Sequence, residues 1–147
     1  SGLAKMFGMK PHIAMLGFSN FGSSKAESSV KIREAVSYIH RYHPNVIVDG
    51  ELQADFALNP ELLAKEFPFS KLNGKRANIL IFPNLESANI TYKLMKQVDG
   101  VESIGPILLG MSKPVHILQL GASVDEMVNM AAVAVVDAQN KELKNKS

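Results

Sequence analysis

The chain has 147 residues and contains neither cysteine nor tryptophan. Without thiols there is no disulfide framework and no thiolate metal site, which fits a cytoplasmic protein. Arginine is scarce: Arg33, Arg41 and Arg76 are the only three among 16 basic residues, and they lie scattered. Such a distribution offers no basic stripe for nucleic acid. The longest apolar run, at 130–136, falls far short of the roughly 20 residues that cross a bilayer, so no membrane association is expected. The opening residues lack the charged-then-apolar pattern of a targeting segment. A net charge of +2 and 46% hydrophobic residues, with a mean hydropathy of +0.04, argue against disorder. They suit one hydrophobic core of ordinary size.

What is present alternates. An apolar run at 13–18 reads as a strand and leads into a Gly/Ser-rich turn at 19–24. Ile32, Ala35, Val36 and Ile39 then fall at i, i+3, i+4 and i+7, one face of a helix that Pro44 stops. A short strand at 46–48 ends at Asp49-Gly50. The stretch 52–66 reads as an interrupted helix, restarted by Asn59 as N-cap and Pro60 at the first helical position. Residues 78–82, NILIF, form the clearest strand, ended by Pro83. A second amphipathic helix at 87–98 places Ile90, Leu94 and Val98 on one face. Two more apolar runs, 104–109 and 115–118, flank a connection at 110–114. The last helix spans about 124–139, and the polar segment from Asn140 reads as a solvated end. Strands separated by helices predict an α/β fold with a mainly parallel sheet. Between Met127 and Val136 the only polar side chain is Asn129. A helix this apolar is either buried on most sides or awaits a partner outside the chain.

Four features could carry chemistry. The turn Ser19-Asn20-Phe21-Gly22-Ser23-Ser24 sits between a strand and a helix. Its backbone N–H groups could cradle a phosphate, or it is a connection with a serine N-cap. It is not a P-loop, since no Gly-Lys-Ser/Thr follows. Asp49, Glu51 and Asp55 crowd after a strand. Calcium-loop spacing does not fit them, and acids favouring a helix N-terminus are the simpler reading, with Glu51 or Asp55 able to face a ligand. His40 and His43 share a helix face but lack a third ligand, so they read as surface residues and no metal is expected. His12 and His116 have no evident partner. Ser123 and Glu126 have the spacing of a capping box, and the preceding 119–122 loop could also present a ligand to that helix N-terminus.

Longer strings say more. VDGELQADFAL at 48–58, ANILIFPNLESANITYKLMK at 77–96, and IGPILLGMSKPVHILQLGASVDEMVNMAAVAVVDAQ at 104–139 resemble the phosphate acetyltransferase family. AMLGFSNFGS at 14–23 matches in the same order. Within it, SNFGS, FPNL with SAN, GMSKPVHILQ and NMAAVAVVDAQ look like the phosphotransacetylase-like C-terminal domain of bacterial NADP-dependent malic enzymes. The resemblance implies the second subdomain of the isocitrate/isopropylmalate dehydrogenase-like phosphotransacetylase fold, a three-layer αβα arrangement. Residues 1–122 would form this subdomain. Residues 123–140 would be a helix packing on a first subdomain outside the chain, and 141–147 a solvated tail. The chain would be a C-terminal piece of a longer protein.

The family's catalytic stretch is Ser-Arg-Gly followed by two aspartates, the arginine binding acyl phosphate and the second aspartate deprotonating the thiol of CoA. Here Gln119 and Leu120 stand at the Ser-Arg positions and Glu126 at the second aspartate. Leucine cannot replace a bidentate, permanently charged phosphate clamp, so no catalytic residue is expected. The resemblance instead implies a regulatory domain binding acetyl-CoA as an inhibitor, with no cofactor in this chain. NADP and a divalent metal would belong to an N-terminal malic domain, and the domain would dimerise or form larger homo-oligomers. Candidate ligand residues are Ser19, Asn20 and Ser23 on the first loop, then Asn84, Asn89, Tyr92 and Lys93 after NILIF. Lys113, Gln119, Gly121, Ser123 and Glu126 complete the set. Lys93 or Lys113 would meet phosphates, and Gln119 would suit a thioester carbonyl. Two other readings are an active phosphate acetyltransferase and a purely structural oligomerisation module.

Overall fold

A computed structural model describes Ala4 and residues 6–98 and 103–145. The chain divides into two compact units, Ser1–Tyr92 and Lys93–Ser147. The first contains β1 (His12–Leu16), α1 (Glu27–Tyr42), β2 (Ile47–Leu52), α2 (Ala54–Leu58), α3 (Pro60–Glu66) and β3 (Ile79–Ile81). Helix α4 (Leu85–Val98) continues into the second unit, which ends with α5 (Val124–Asn145). No helix among the described residues is long and apolar enough to cross a membrane.

All strand pairings are parallel, in the order β2-β1-β3, with Ile13 opposite Val48 on one side and Ile79 on the other. Period-two alternation splits the central strand. Ala14 and Leu16 enter a core with Leu52, Ala57, Leu63, Leu72 and Ala77. Phe21, Phe56 and Phe67 pack against that core. Ile13 and Val48 are buried on the opposite face, the one α1 covers with its buried Ile32 and Val36. Burial of such aliphatic side chains contributes roughly 1.5–3 kcal/mol each before entropy is counted. The helical period read from Ile32, Ala35, Val36 and Ile39 is thus the face α1 buries. Helix α1 closes one residue before the proline, with the His43 N–H donating to the Ile39 carbonyl at 2.8 Å. Asn59 caps α3, its Oδ1 accepting from the Leu62 N–H at 3.0 Å with Pro60 next in line.

Several expectations need correction. The second strand does not end at Asp49-Gly50 but runs to Leu52, so Asp49 and Glu51 are buried strand residues and only Asp55 lies in a helix's first turn. Tertiary donors hold the two acids there. Asp49 Oδ2 accepts from Ser70 Oγ and the Lys71 N–H, both at 2.8 Å. The N-cap of α1 is Ala26, without a side-chain cap bond, and not a serine. His40 is half-buried and not free at the surface, since its Nε2 lies 2.8 Å from the Val48 carbonyl and ties α1 to β2. The apolar runs 104–109 and 115–118, to which the sequence assigned no element, form neither helix nor strand. Pro106 and Pro114 lack the N–H a ladder needs, and Gly105 and Gly110 sit at φ +136° and +85°.

Helix α5 runs past Gln139 to Asn145, so the polar segment is helical as far as Asn145, and residues 146–147 lie outside the described residues. Within it Asn140 Nδ2 donates to the Val136 carbonyl at 2.8 Å and Lys141 pairs with Asp137 at 2.9 Å. That helix buries only Met130 and Val133 among its described residues, leaving Val124 and Val128 open. Its apolar surface is therefore uncovered within the chain. His116 does have a neighbour: its Nε2 lies 3.5 Å from Asp137 Oδ2, though both ring nitrogens are buried and without a hydrogen bond.

Candidate functional site

The strand order β2-β1-β3 makes the chain leave β1 toward one side and return for β3 on the other. In an open parallel sheet such a reversal opens a crevice beyond the carboxyl ends of the strands, and ligands bind there. In the first unit this reversal lies between β1 and β3. A cavity of about 360 Å³ occupies it. Its walls are Met15 and Leu16 of β1, Ile81 to Asn84 at the exit of β3, and Glu27, Ser28, Lys31, Ile32 and Ala35 of α1. Apolar side chains dominate the lining, while Lys31, Ser28 and Asn84 supply donors. Such a cavity suits a small group with an apolar body and a polar or anionic end.

The loop leaving β1 is held rather than open. Glu51 is fully buried, and its Oε1 accepts from Ser19 Oγ at 2.9 Å, the Gly22 N–H at 3.0 Å and Arg33 Nη1 at 2.8 Å. Since Ser19 Oγ donates to Glu51, the Ser29 hydroxyl donates in turn to Ser19 across 2.8 Å. Arg33 Nη1 also reaches the Ser24 carbonyl at 3.0 Å. Asn20 and Gln53 bond reciprocally, Nδ2 to Oε1 at 2.6 Å and the Gln53 N–H to Asn20 Oδ1 at 2.8 Å. Ser23 Oγ accepts the Asn20 N–H at 3.0 Å. The N–H groups of Asn20, Phe21, Gly22 and Ser23 are all spent inside the protein. In this conformation those four N–H groups are not open to a phosphate. Phe21 adopts φ +42°, a conformation costly for a bulky residue, and its ring packs tilted against Phe67 and edge-on against Phe69, with centroids at 4.9 and 5.0 Å.

The remaining expected residues divide between the units. Asn84 starts α4, its Oδ1 accepting the Ser87 N–H at 2.8 Å, and also borders the cavity. Asn89 is exposed and Tyr92 half-buried further along α4. Lys93, Lys113, Gln119, Gly121, Ser123 and Glu126 belong to the second unit. There Lys93, Lys113, Gln119 and Gly121 are exposed, and Leu120 is fully so.

Ser123 and Glu126 form the capping box their spacing predicts: the Ser123 N–H donates to Glu126 Oε2 at 2.8 Å and the Glu126 N–H to Ser123 Oγ at 3.2 Å. Lys96 adds an ion pair to Glu126 Oε1 at 2.7 Å. The hydrogen bond from Lys96, then that from the Ser123 N–H, hold this carboxyl below its ordinary value. Both oxygens are thereby engaged, which makes it a weak base. Among the described residues no three His, Cys, Asp or Glu side chains group as metal ligands. Sequence reasoning missed Arg33, Gln53, Lys31 and Lys96, because nothing in local spacing shows which distant carboxylate or crevice a side chain will meet.

The model of the family described as phosphate acetyl/butaryl transferase matches residues 1–135. The chain is 44% identical over 141 residues to the NADP-dependent malic enzyme of Escherichia coli, covering 95% of itself but 18% of that protein. It is 41% identical over 135 residues to the phosphate acetyltransferase of Clostridium acetobutylicum, covering 92% and 40%. The fold matches the crystal structure of a phosphotransacetylase from Streptococcus pyogenes with a TM-score of 0.83 at 39% identity, covering 95% of this chain and 41% of that one. The chain therefore spans less than half the length of these relatives. On this evidence it belongs to the phosphate acetyl/butaryl transferase family.

Proposed function

We propose that this chain is part of the non-catalytic, phosphotransacetylase-like regulatory domain of an NADP-dependent malic enzyme, and that it binds acetyl-CoA as an allosteric inhibitor. The observation that carries the reading is the pair Gln119-Leu120 where the family has Ser-Arg. A leucine offers no hydrogen bond and no charge to an acyl phosphate, whereas arginine provides both in a fixed fork. Glu126 supports the same conclusion. Its carboxylate keeps the family's charge, but Lys96 and the Ser123 N–H occupy it and lower its basicity. A neutral amide such as Gln119 still suits a thioester carbonyl, and Lys31 at the crevice suits a phosphate or carboxylate. Inhibition requires that acetyl-CoA bind one assembly state more tightly than another. In this reading the parent protein oxidatively decarboxylates malate in the cytoplasm, its N-terminal malic domain holds NADP and the divalent metal, and this domain contributes to oligomerisation.

The second reading is an active phosphate acetyltransferase, favoured by the retained carboxylate of Glu126 and by the similarity to enzymes of that name. One experiment separates them. The intact protein is titrated calorimetrically with acetyl-CoA, with free CoA as control, and assayed for acetyl phosphate formation from acetyl-CoA and phosphate. The regulatory reading expects saturable binding that prefers the acetylated form, and no acetyl phosphate from the natural protein. Turnover by the natural protein establishes the enzyme instead. Absence of binding together with unaltered malate oxidation overturns the sensor.

A further inference from the structure

The connection from α3 to β3 braces the sheet. Ser70 Oγ and the Lys71 N–H both donate to the buried Asp49 at 2.8 Å, and Leu72 is fully buried in the core. Directly after this anchor the chain turns, the Lys75 N–H donating to the Leu72 carbonyl at 2.8 Å. Gly74 takes φ +68° at the third position of that turn, where glycine is favoured. Asn73 precedes it, so the turn presents an Asn-Gly bond. Gly74 is exposed, and a Cβ built on it would meet nothing within 4 Å.

In an Asn-Gly bond the glycine nitrogen can attack the asparagine Cγ and close a five-membered imide, since no Cβ obstructs the approach. The attack requires loss of the glycine N–H proton. The charge left behind spreads by resonance onto the carbonyl oxygen of the same peptide group. Here that oxygen belongs to Asn73, and Lys75 Nζ donates to it at 3.2 Å. An ammonium placed where charge develops favours the ionisation. The Gly74 N–H makes no hydrogen bond among the described residues. Asn73 Nδ2 donates to the Pro68 carbonyl at 2.9 Å, a bond that opens when Cγ swings toward Gly74.

We propose that Asn73-Gly74 is a spontaneous modification site, activated by Lys75, at which asparagine becomes aspartate or isoaspartate. The Gly74 nitrogen bonds to Asn73 Cγ and the Cγ–Nδ2 bond breaks. The proton lost by Gly74 departs, by way of solvent, on ammonia. Water then opens the imide. Cleavage at Cγ gives aspartate, and cleavage at the backbone carbonyl gives an isoaspartyl link with an extra main-chain atom. Either product leaves the Pro68 carbonyl facing a carboxylate instead of a donor. The isoaspartyl form also lengthens the chain just after Ser70 and Lys71, and so loosens their grip on Asp49. The site is independent of acetyl-CoA binding.

The intact protein is aged in mildly alkaline buffer and digested, and its peptide masses are measured. Asn73 should exchange amide for acid at least about tenfold faster than Asn84, which precedes a leucine. Methylation by an isoaspartyl methyltransferase identifies the isoaspartyl product. Gly74→Ala should slow the reaction at least about tenfold, and Lys75→Met about threefold, the scale of a partly exposed charge contact. Alanine is strained at the φ of Gly74, whereas Lys75→Met leaves the turn's backbone bond in place and stays informative if the first variant unfolds. In the purified isoaspartyl form the Lys71 amide should exchange hydrogen faster, with that of Ile13 unchanged. Asn73 reacting no faster than Asn84 overturns the site. An unaltered rate in Lys75→Met overturns the activation, and unaltered exchange at Lys71 overturns the loosening.

Discussion

At the residue scale, charge and conformation decide more than residue type. Gly50 illustrates conformation: its φ of +144° and the adjacent Met15 carbonyl leave no room for a Cβ. Gly50→Ala is expected to cost at least about 2 kcal/mol of stability, read as a lowered urea midpoint. Glu126 illustrates charge. Its folded carboxyl lies below the ordinary value of 4.5, chiefly through Lys96. A depressed folded pKa means that the ion pair's contribution is present in full above about pH 4.5, and is lost as pH falls through the folded value. Lys96→Met should raise the Glu126 carboxyl toward its ordinary range, and an NMR titration of the side-chain carbonyl checks this. An unshifted titration would show that the capping box alone sets it.

At the scale of elements, the helices separate by what their sequences could show. Caps are local, and two were legible: Asn59-Pro60 starts α3 and Ser123 with Glu126 starts α5. Asn59→Ala should cost about 1 kcal/mol, seen as a shift in the denaturation midpoint without a change in its slope. Strand ends are not local. The second strand outruns its apolar residues because Asp49 and Glu51 find buried donors on Ser70, Lys71, Ser19 and Arg33. Helix α4 reverses the lesson. Its apolar stripe, Ile90, Leu94 and Val98, is plain in the sequence, yet all three side chains are exposed within the chain. Periodicity reports which face is apolar, not what covers it.

For the molecule as a whole, the two units differ in how they are held. The first has a sheet, a layered core and a crevice. The second buries only Met130 and Val133 among its described residues while exposing Leu109, Val115, Leu118 and Leu120. Leu120 makes no packing that a substitution would lose. Leu120→Arg should therefore change stability by no more than about 0.5 kcal/mol, measured by thermal unfolding. Under the sensor reading, that arginine alone should produce no acetyl phosphate either, since Glu126 stays engaged by Lys96 and Ser123. Turnover by this variant would show that the missing guanidinium was the sole defect.

Sequence by itself determined the α/β class, the parallel order of strand and helix, the caps of α3 and α5 and the family, because each is written in short-range periodicity or in long matching strings. The degenerate Gln119-Leu120 pair was equally visible, being a matter of residue identity. Only the tertiary structure decided what the polar residues do. Ser19, Asn20 and Ser23, candidate ligand residues by sequence, brace their own loop against Glu51 and Gln53 or against one another. The reason is separation along the chain: Ser19 and Glu51 are 32 residues apart, and nothing near either announces the other. The bulge at Glu51 in β2, and the Gly50 that permits it, become meaningful once the strands have paired.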